Sequence, residues 1–373
     1  MFGKFHTLYL EATRNCNFNC RYCSSGSNSD EIFQDLDYNT IISRILDPAY
    51  NLGTRFLQLS GGEFLLRPDA FDILDYANKK GFRIAVTSNG STLNEKTILK
   101  IKKIVGDNIL ISLGINSFDE DNAATRTKEY NYTIDKIKLL ERYHININIS
   151  VTIGAFNKHS FAKTIDKITE LGLPYNRIPF TPRNVDCPGL MFDKEMMKNY
   201  FHPVLNSHYK GYVSFVPLFL DPVKYKEISG QSSDVISVPT NPSVGCWVGA
   251  FYSITPDGEV APCPLLGDNI SGGNVLEKDL YDILYNSELF KTITNRKNLK
   301  GKCGNCRFNF TCGGCRVMAY YKTGDYLAED PTCFINDLTD SELLEKMDET
   351  EKNFKKYVRM AKFGNIYFPP GEK

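Results

Sequence analysis

The chain has 373 residues, of which 42% are hydrophobic and 24% charged, so it belongs with folded globular proteins and is long enough for one to three domains. Lysine plus arginine equals aspartate plus glutamate at 44 each, which gives no indication of a nucleic-acid or membrane partner. The longest apolar run, near 213–220, is too short to span a bilayer, and residues 1–6 lack the features of a secretory signal. We therefore expect a cytoplasmic protein that binds neither nucleic acid nor membrane.

Strand-like and helix-like patterns alternate from Thr7 to about Phe180. The predicted strands are Thr7–Leu10, Arg55–Leu59, Arg83–Thr87, Ile109–Leu113, Ile145–Val151 and Arg177–Phe180. The predicted helices are Thr40–Leu46, Pro68–Lys79, Asn94–Ile104, Tyr132–Tyr143 and Ser160–Glu170. Repeated β–α units predict an α/β fold with a parallel sheet and right-handed crossovers. Six strands would make a partial, open (β/α)6 barrel rather than a closed eight-fold one.

Two helix ends carry local signals. Asn94 is predicted to cap the start of its helix, and Gly81 to end the helix before it. The apolar face of the helix after Asn94 is predicted to consist of Ile98, Leu99, Ile101 and Ile104.

The regular alternation stops after Pro182. Residues 183–245 show little periodicity and are interpreted as a partly helical connection. Residues 246–333 are rich in Gly, Pro and Cys, with a predicted hairpin turning at Asp257-Gly258, and need metal to hold them together. The charged tail is predicted to form a helix that docks through Leu343, Leu344, Met347, Phe354 and Val358. We place the domains at 1–205 (barrel), 206–245 (connecting segment), 246–340 (Cys-rich domain) and 341–373 (helical tail).

Eleven cysteines need an explanation, because a reducing cytoplasm disfavours disulfides and favours metal ligands or catalytic thiols. Two groups are closely spaced and lie at opposite ends of the chain. The first group is Cys16, Cys20 and Cys23; the second is Cys303, Cys306, Cys312 and Cys315. The others are Cys187, Cys246, Cys263 and Cys333. The grouping predicts two metal-binding regions.

The first group has C-x3-C-x2-C spacing directly after the first predicted strand. Three thiolates can bind three irons of a [4Fe–4S] cluster and leave the fourth iron open. A zinc site is the alternative, but zinc usually takes four ligands, and no further Cys or His lies within thirty residues downstream.

With Tyr22 before its last cysteine, this motif resembles the signature of the radical S-adenosyl-L-methionine (AdoMet, or SAM) superfamily. Ser60-Gly61-Gly62-Glu63 after the second strand and Thr87-Ser88-Asn89-Gly90 after the third resemble two further superfamily segments. The resemblance implies that AdoMet chelates the open iron and that one electron cleaves it to a 5′-deoxyadenosyl radical. It also implies AdoMet contacts by Tyr22, Gly61, Gly62, Glu63, Ser88, Asn89, Ser112 and Arg126, although Ser112 and Arg126 have structural polar roles as alternatives.

One departure concerns the fourth strand. Many protein-modifying relatives carry Ser-Leu-Asp-Gly there, and in sulfatase-maturing relatives a nearby aspartate acts as a base. This chain has Ser112-Leu113-Gly114-Ile115-Asn116. The missing aspartate disfavours sulfatase maturation, and we assign no general base.

The C-terminal cysteines resemble the SPASM extension of the same superfamily, and residues 324–333 are similar to the ending of members that make a quinone cofactor or tailor haem precursors. The resemblance implies two auxiliary clusters, one bound by Cys303, Cys306, Cys312 and Cys333 and one by Cys246, Cys263 and Cys315. A zinc ribbon is the alternative. The second set lacks the cysteine that fully ligated relatives carry where this chain has Phe251, Tyr252 and Ser253. Either Cys187 supplies the fourth ligand, or that iron stays open for water, a distant side chain or a substrate thiolate.

Three functions remain open. The first is oxidative cross-linking of a ribosomally made peptide, by a thioether or a carbon–carbon bond; the second is modification of a small molecule such as a tetrapyrrole side chain. The third is a non-catalytic iron–sulfur or zinc module, which the intact N-terminal motifs disfavour. Expected partners are the substrate, an electron donor such as flavodoxin or ferredoxin and, for a peptide substrate, a separate recognition protein or residues 183–245, because only fifteen residues precede Cys16.

Overall fold

A computed structural model describes residues 5–28, 30, 32–184, 187–207, 215–230 and 244–362. Its main feature is an open sheet of eight strands in the order β6-β5-β4-β3-β2-β1-β7-β8. The strands are β1 (Thr7–Thr13), β2 (Phe56–Gly61), β3 (Arg83–Ser88), β4 (Ile109–Gly114), β5 (Asn146–Ile153), β6 (Tyr175–Pro179), β7 (Phe251–Ile254) and β8 (Val260–Ala261). β1 to β6 are parallel to their neighbours, so the predicted α/β partial barrel is confirmed.

Each of the five helices predicted in the barrel is present, and the structure adds the short helix Glu120–Thr125. Between β1 and β6 they are Tyr38–Thr40 with Ile41–Leu46 and Asp47–Asn51, Ala70–Lys80, Glu95–Val105, Glu120–Thr125, Tyr130–Arg142 and Phe161–Glu170. After β6 they are Lys194–Met196 with Met197–Phe201 and His202–Ser207, Pro222–Ser229, Asp282–Asn286, Glu288–Ile293, Gly301–Gly304, Arg316–Thr323 and Asp340–Lys362. Short 3-10 turns occupy Phe64–Leu66, Ala155–Asn157, Pro188–Leu190, Pro264–Leu266, Arg296–Asn298 and Ile335–Asp337. In the described parts of the chain, no helix has the length and hydropathy needed to cross a bilayer.

The predicted helix signals can be compared with the observed ends. The Asn94 side chain accepts a hydrogen bond from the Thr97 amide, and Gly81 ends its helix with a left-handed φ of 99°, as predicted. The predicted apolar face is wrong at Leu99, which is 50% exposed. Successive helical residues point about 100° apart, so Leu99 turns outward when Ile98 faces the core.

The Cys-rich region joins the barrel sheet directly. β7 pairs in parallel with β1, with Thr7 opposite Phe251, and β8 turns back antiparallel to β7. The hairpin predicted at Asp257-Gly258 is therefore confirmed, and Gly258 adopts the positive φ that the turn needs. Because of this pairing, the strand before the N-terminal cysteines lies beside the strand after Cys246.

The terminal helix packs on the body as expected. Phe354 is fully buried and stacks on Tyr225, with ring centroids 5.4 Å apart, and Val358 is also buried. Leu344 was expected in the docking face but is 57% exposed. The domain boundaries at 205, 245 and 340 stay predictions, and residues 208–214 and 231–243 of the connection and 363–373 of the tail lie outside the described residues.

Candidate active site and auxiliary cysteine sites

The Gly61-Gly62 turn brings the end of β2 against the chain that leaves β1. Gly62 donates its amide to Thr13 O at 2.7 Å, and Glu63 donates to Asn15 O at 2.9 Å. A Cβ on Gly61 would lie 2.0 Å from Thr13 O, and one on Gly62 would lie 2.2 Å from Asn15 O. The atoms that come close to these glycines are backbone atoms of the protein itself, so Gly61 and Gly62 set the position of the cysteine loop (residues 14–28).

Glu63 connects two of the sequence motifs. Its side chain is fully buried, and it accepts hydrogen bonds from Ser88 Oγ at 2.9 Å and from the Asn89 amide at 2.6 Å. Burial raises the pKa of this carboxyl to about 7, and the two hydrogen bonds only partly offset that effect. Asn89 in turn places its side-chain Nδ2 3.6 Å from Cys16 Sγ. The three predicted AdoMet-binding motifs therefore meet at one end of the sheet.

The loop after β4 supports the cysteine loop from the other side. Thr125 O accepts the Arg21 amide at 3.0 Å, and Thr127 Oγ1 accepts the Asn19 amide at 2.8 Å. The Arg126 guanidinium donates to the Tyr22 hydroxyl. Arg126 and Tyr22, both predicted to contact AdoMet, are thus in contact with each other.

The N-terminal thiols lie in a desolvated environment. Phe18 N points at Cys16 Sγ at 3.4 Å, which stabilises a thiolate. Burial nevertheless raises the pKa of the Cys16 thiol, and burial, followed by the nearby Cys20, raises that of Cys23 to about 11. Iron binding would displace these protons, because the thiolate is the ligand.

Gly114 is the residue at which the fourth strand departs from the Ser-Leu-Asp-Gly segment of many relatives. It stands where relatives carry aspartate, and a Cβ there would lie 2.1 Å from Nη1 of Arg126. The guanidinium therefore packs directly on the backbone at the end of β4. Sequence reasoning treated Gly114 and Arg126 separately. The sequence showed that the acidic side chain was missing, but it did not identify Arg126 as the neighbour of the glycine.

Ser112 belongs to a polar ladder on the neighbouring strands. Its hydroxyl accepts from Asn148 Nδ2 at 3.2 Å, and the same amide nitrogen donates to Asn176 Oδ1 at 2.6 Å. Ser150 Oγ also donates to Asn176 Oδ1, at 2.9 Å. This gives Ser112 a structural role, and its predicted contact with ribose stays a prediction.

Four C-terminal thiols share one cavity wall. They are those of Cys303, Cys306, Cys312 and Cys333. Backbone amides point at three of these sulfurs: Asp330 N at Cys303 (3.3 Å), Phe308 N at Cys306 (3.4 Å) and Leu218 N at Cys312 (3.3 Å). N–H groups directed at sulfur are typical of thiolates that bind iron–sulfur clusters, so this donor set fits a [4Fe–4S] cluster.

The second auxiliary set lines a larger cavity, with a volume of about 260 Å³. Its wall includes the thiols of Cys246, Cys263 and Cys315, and also Ser24 and Ser25 of the cysteine loop. The cavity thus reaches from the cysteine loop to the Cys-rich region. In the described parts of the chain, no three His, Cys, Asp or Glu side chains are grouped as they would be around a single metal ion.

The auxiliary set Cys246, Cys263 and Cys315 lacks a fourth cysteine, and the residues considered for that position differ in whether they line the cavity. Cys187 is half-buried and is not among the residues that line this cavity. Tyr252 turns away, with its hydroxyl 3.2 Å from Thr54 Oγ1, and Ser253 Oγ lies 3.4 Å from Ala261 O. Phe251 is in the cavity wall. The three cysteines therefore have no fourth thiol beside them in the wall of this cavity.

Sequence reasoning missed a buried ionic cluster between the barrel and the Cys-rich region. Arg183 pairs with Glu11 on β1 and with Asp268 after Cys263, both at 2.6 Å, and it donates to Pro264 O at 2.7 Å. No local spacing signals this contact, because 172 residues separate Arg183 from Glu11 and 85 separate it from Asp268.

A three-cysteine loop follows the first parallel strand, Glu63 connects it to the ends of β2 and β3, and a Cys-rich region follows the barrel. This is the arrangement expected of a radical SAM enzyme with a SPASM domain. Family comparison agrees: the Radical SAM superfamily matches residues 10–168, and SPASM, an iron–sulfur cluster-binding domain, matches residues 246–307. The predicted superfamily, the enzymatic nature of the chain, and its [4Fe–4S] and AdoMet cofactors are confirmed. The ligand sets of the individual clusters stay predictions.

Individual relatives cover most of the chain. An AdoMet-dependent heme synthase of Methanosarcina barkeri is 29% identical over 334 residues, which are 87% of this chain and 94% of the relative. The antilisterial bacteriocin subtilosin biosynthesis protein AlbA of Bacillus subtilis is 26% identical, over 82% of this chain and 66% of AlbA. The solved structure of anSMEcpe with bound AdoMet has a TM-score of 0.67 at 16% identity, covering 94% of this chain and 99% of that one, which shows the shared fold.

Proposed function

We propose that the enzyme oxidises a carboxylate-bearing side chain of a small molecule of the tetrapyrrole class. The observation that carries the proposal is the end of β4, where Gly114 and the Arg126 guanidinium occupy the place of the relatives' acid. Forming a thioether or carbon–carbon link releases a proton and needs a base. A carboxylate beside a carbon radical can instead leave as carbon dioxide, with one electron passing to an acceptor, and this needs no base.

The large cavity supports a carboxylate substrate. Arg177 on β6 is half-buried and lines this cavity, and its guanidinium is a group suited to carboxylates. Tyr9 and Gln58 of the barrel wall and Trp247 of the Cys-rich region give the same cavity polar and apolar surfaces. The heme synthase relative, which matches almost over its full length, is named for a product of this chemical class.

The protein's own groups have defined tasks in this proposal. When bound, the catalytic cluster supplies the electron that cleaves AdoMet to a 5′-deoxyadenosyl radical. Glu63 would hold the amino group of AdoMet and Arg126 its carboxylate, as the resemblance implies. Arg183, fixed by Glu11 and Asp268, would keep the cavity wall closed to water where the two domains meet.

The test uses anaerobically reconstituted enzyme, dithionite, AdoMet and an iron porphyrin that carries propionate side chains. We expect 5′-deoxyadenosine in proportion to a product that has lost carbon dioxide and two hydrogens per propionic acid side chain, measured by mass spectrometry. The two hydrogens are the hydrogen atom that the radical abstracts and the carboxyl proton that is lost to solvent. AdoMet cleavage that leaves the porphyrin unchanged would contradict the proposal.

A peptide substrate is the second candidate, supported by the similarity to AlbA and by the cavity wall with three cysteines and no fourth thiol. An open iron there would favour a soft ligand such as a peptide thiolate. A Cys-containing peptide encoded beside this gene would then lose two hydrogens in the same assay. A separate recognition protein or residues 183–245 would bind the peptide, and flavodoxin or ferredoxin would replace dithionite in the cell.

A further inference from the structure

Arg316 is a buried arginine beside the auxiliary thiols. It follows Cys315 directly, begins the helix Arg316–Thr323 and is 2% exposed. Its Nη1 donates to Tyr326 O at 2.9 Å and to Ala328 O at 2.7 Å, which fixes the guanidinium plane. Its Nη2 lies 3.8 Å from Cys303 Sγ. A full positive charge is therefore held against one of the four thiols that share a cavity.

The local sequence makes room for this arrangement. Gly314 has a φ of +59°, and a Cβ there would lie 2.7 Å from Arg316 Nη2 and 2.8 Å from Cys303 Sγ. Any side chain at this position would push the guanidinium away from the sulfur. The Cys312-Gly-Gly-Cys315 segment thus serves to admit the guanidinium as well as to space the thiols.

A buried charge of the opposite sign lies on the other side. Asp330 has no exposed surface, and its amide donates to Cys303 Sγ at 3.3 Å. Its carboxylate accepts the Cys315 amide at 2.7 Å, and the amide and hydroxyl of Thr332 at 2.8 and 2.7 Å. Asp330 therefore touches Cys303 of one auxiliary set and Cys315 of the other.

We propose that Arg316 and Asp330 set the reduction potential of the auxiliary cluster at Cys303, Cys306, Cys312 and Cys333, with Arg316 raising it and Asp330 lowering it. An iron–sulfur cluster becomes more negative when it is reduced, so a nearby cation favours the reduced state and a nearby anion disfavours it. Both groups are buried, where the low dielectric strengthens such effects. The inference concerns electron acceptance and does not depend on which substrate the enzyme oxidises.

The test compares Arg316→Gln, Arg316→Lys and Asp330→Asn in the full chain. The background is Cys16→Ala, Cys20→Ala and Cys23→Ala, so that the EPR signal comes from auxiliary clusters alone. We expect Arg316→Gln to disfavour reduction about tenfold, which is about 59 mV for one electron, and Arg316→Lys to have a smaller effect in the same direction. Asp330→Asn, which keeps the shape and removes the charge, should favour reduction.

The opposite signs separate electrostatics from loosened packing, which would shift all variants in the same direction. Arg67→Gln is the control, because Arg67 is also a buried arginine but pairs with Asp69 in the barrel. It should leave the auxiliary potential unchanged. Unchanged potentials, or shifts of the same sign in Arg316→Gln and Asp330→Asn, would overturn the proposal. If Arg316→Gln fails to retain iron, Asp330→Asn decides alone: a higher potential supports the proposal, and an unchanged or lower one overturns it.

Discussion

Gly114→Ala adds one methyl group beside Arg126. Its Cβ would lie 2.1 Å from Nη1, whereas non-bonded atoms of this kind stay about 3.5 Å apart, so the guanidinium must retreat by about 1.4 Å. That displacement breaks the hydrogen bond to Tyr22. A hydrogen bond to a charged group is worth about 1.5–3 kcal/mol. If Arg126 holds the AdoMet carboxylate, we expect AdoMet affinity to fall about 10- to 100-fold.

The assay is equilibrium binding of AdoMet to reconstituted protein, with iron content measured in parallel. Gly189→Ala is the matched control, because no atom of the described residues lies within 4 Å of a Cβ there. In an Arg126→Ala background, Gly114→Ala should have no further effect, since the two residues act through one contact. Unchanged AdoMet affinity in the Gly114→Ala variant would refute the reasoning. A loss of affinity on adding Gly114→Ala to Arg126→Ala as large as the loss in the wild-type background would also refute it.

Three further predictions concern Glu63, Arg183 and Cys187. Because the folded state raises the pKa of Glu63 from 4.5 to about 7, the fold holds this proton more tightly than the unfolded chain does. The contribution of Glu63 to the free energy of unfolding should therefore fall as pH rises from about 4.5 to 7. In denaturant titrations the midpoint of the Glu63→Gln variant should not show this fall. The same pH profile of the midpoint in both proteins would contradict the prediction. Arg183→Met should cost about 3–5 kcal/mol in the same assay by leaving Glu11 buried without its cation, and adding Glu11→Gln should restore part of the loss; no recovery would argue against the ion pair. Cys187→Ala should keep the iron content, about twelve per chain for three [4Fe–4S] clusters, and loss of about one cluster's iron would show that Cys187 is a ligand.

The fold could be predicted from the sequence where each element carries its own pattern. Apolar runs followed by amphipathic segments placed all six barrel strands, and β6 alone begins two residues before its predicted start. Tyr175 and Asn176 begin that strand, but a polar residue such as Asn176 carries no strand signal, although it faces Asn148 and Ser150 across the sheet. Leu344 was misassigned for a related reason: an apolar side chain at helical spacing does not reveal which neighbours will cover it.

The candidate site could be predicted where its chemistry lies in short motifs, as for the cysteine spacing and Gly61-Gly62-Glu63. Contacts between distant segments could not be predicted. Nothing near Arg183 in the sequence indicates Glu11 or Asp268, and nothing near Gly114 indicates that Arg126 packs on its Cα. Such pairs form only after the sheet has brought strand ends together, so they follow from the fold and not from local spacing.

The parallel pairing of β1 with β7 has a consequence for how the protein is made. During synthesis β1 leaves the ribosome first, yet one of its two edges is completed only when residues 251–254 have been translated. Until then the strand that precedes the N-terminal cysteines presents unpaired amides and carbonyls along this edge, which can template pairing with another chain. A truncation before β7 would leave this edge open permanently. The Cys-rich region therefore covers the open edge of β1 once it has been translated, and we expect this pairing to reduce aggregation of the barrel.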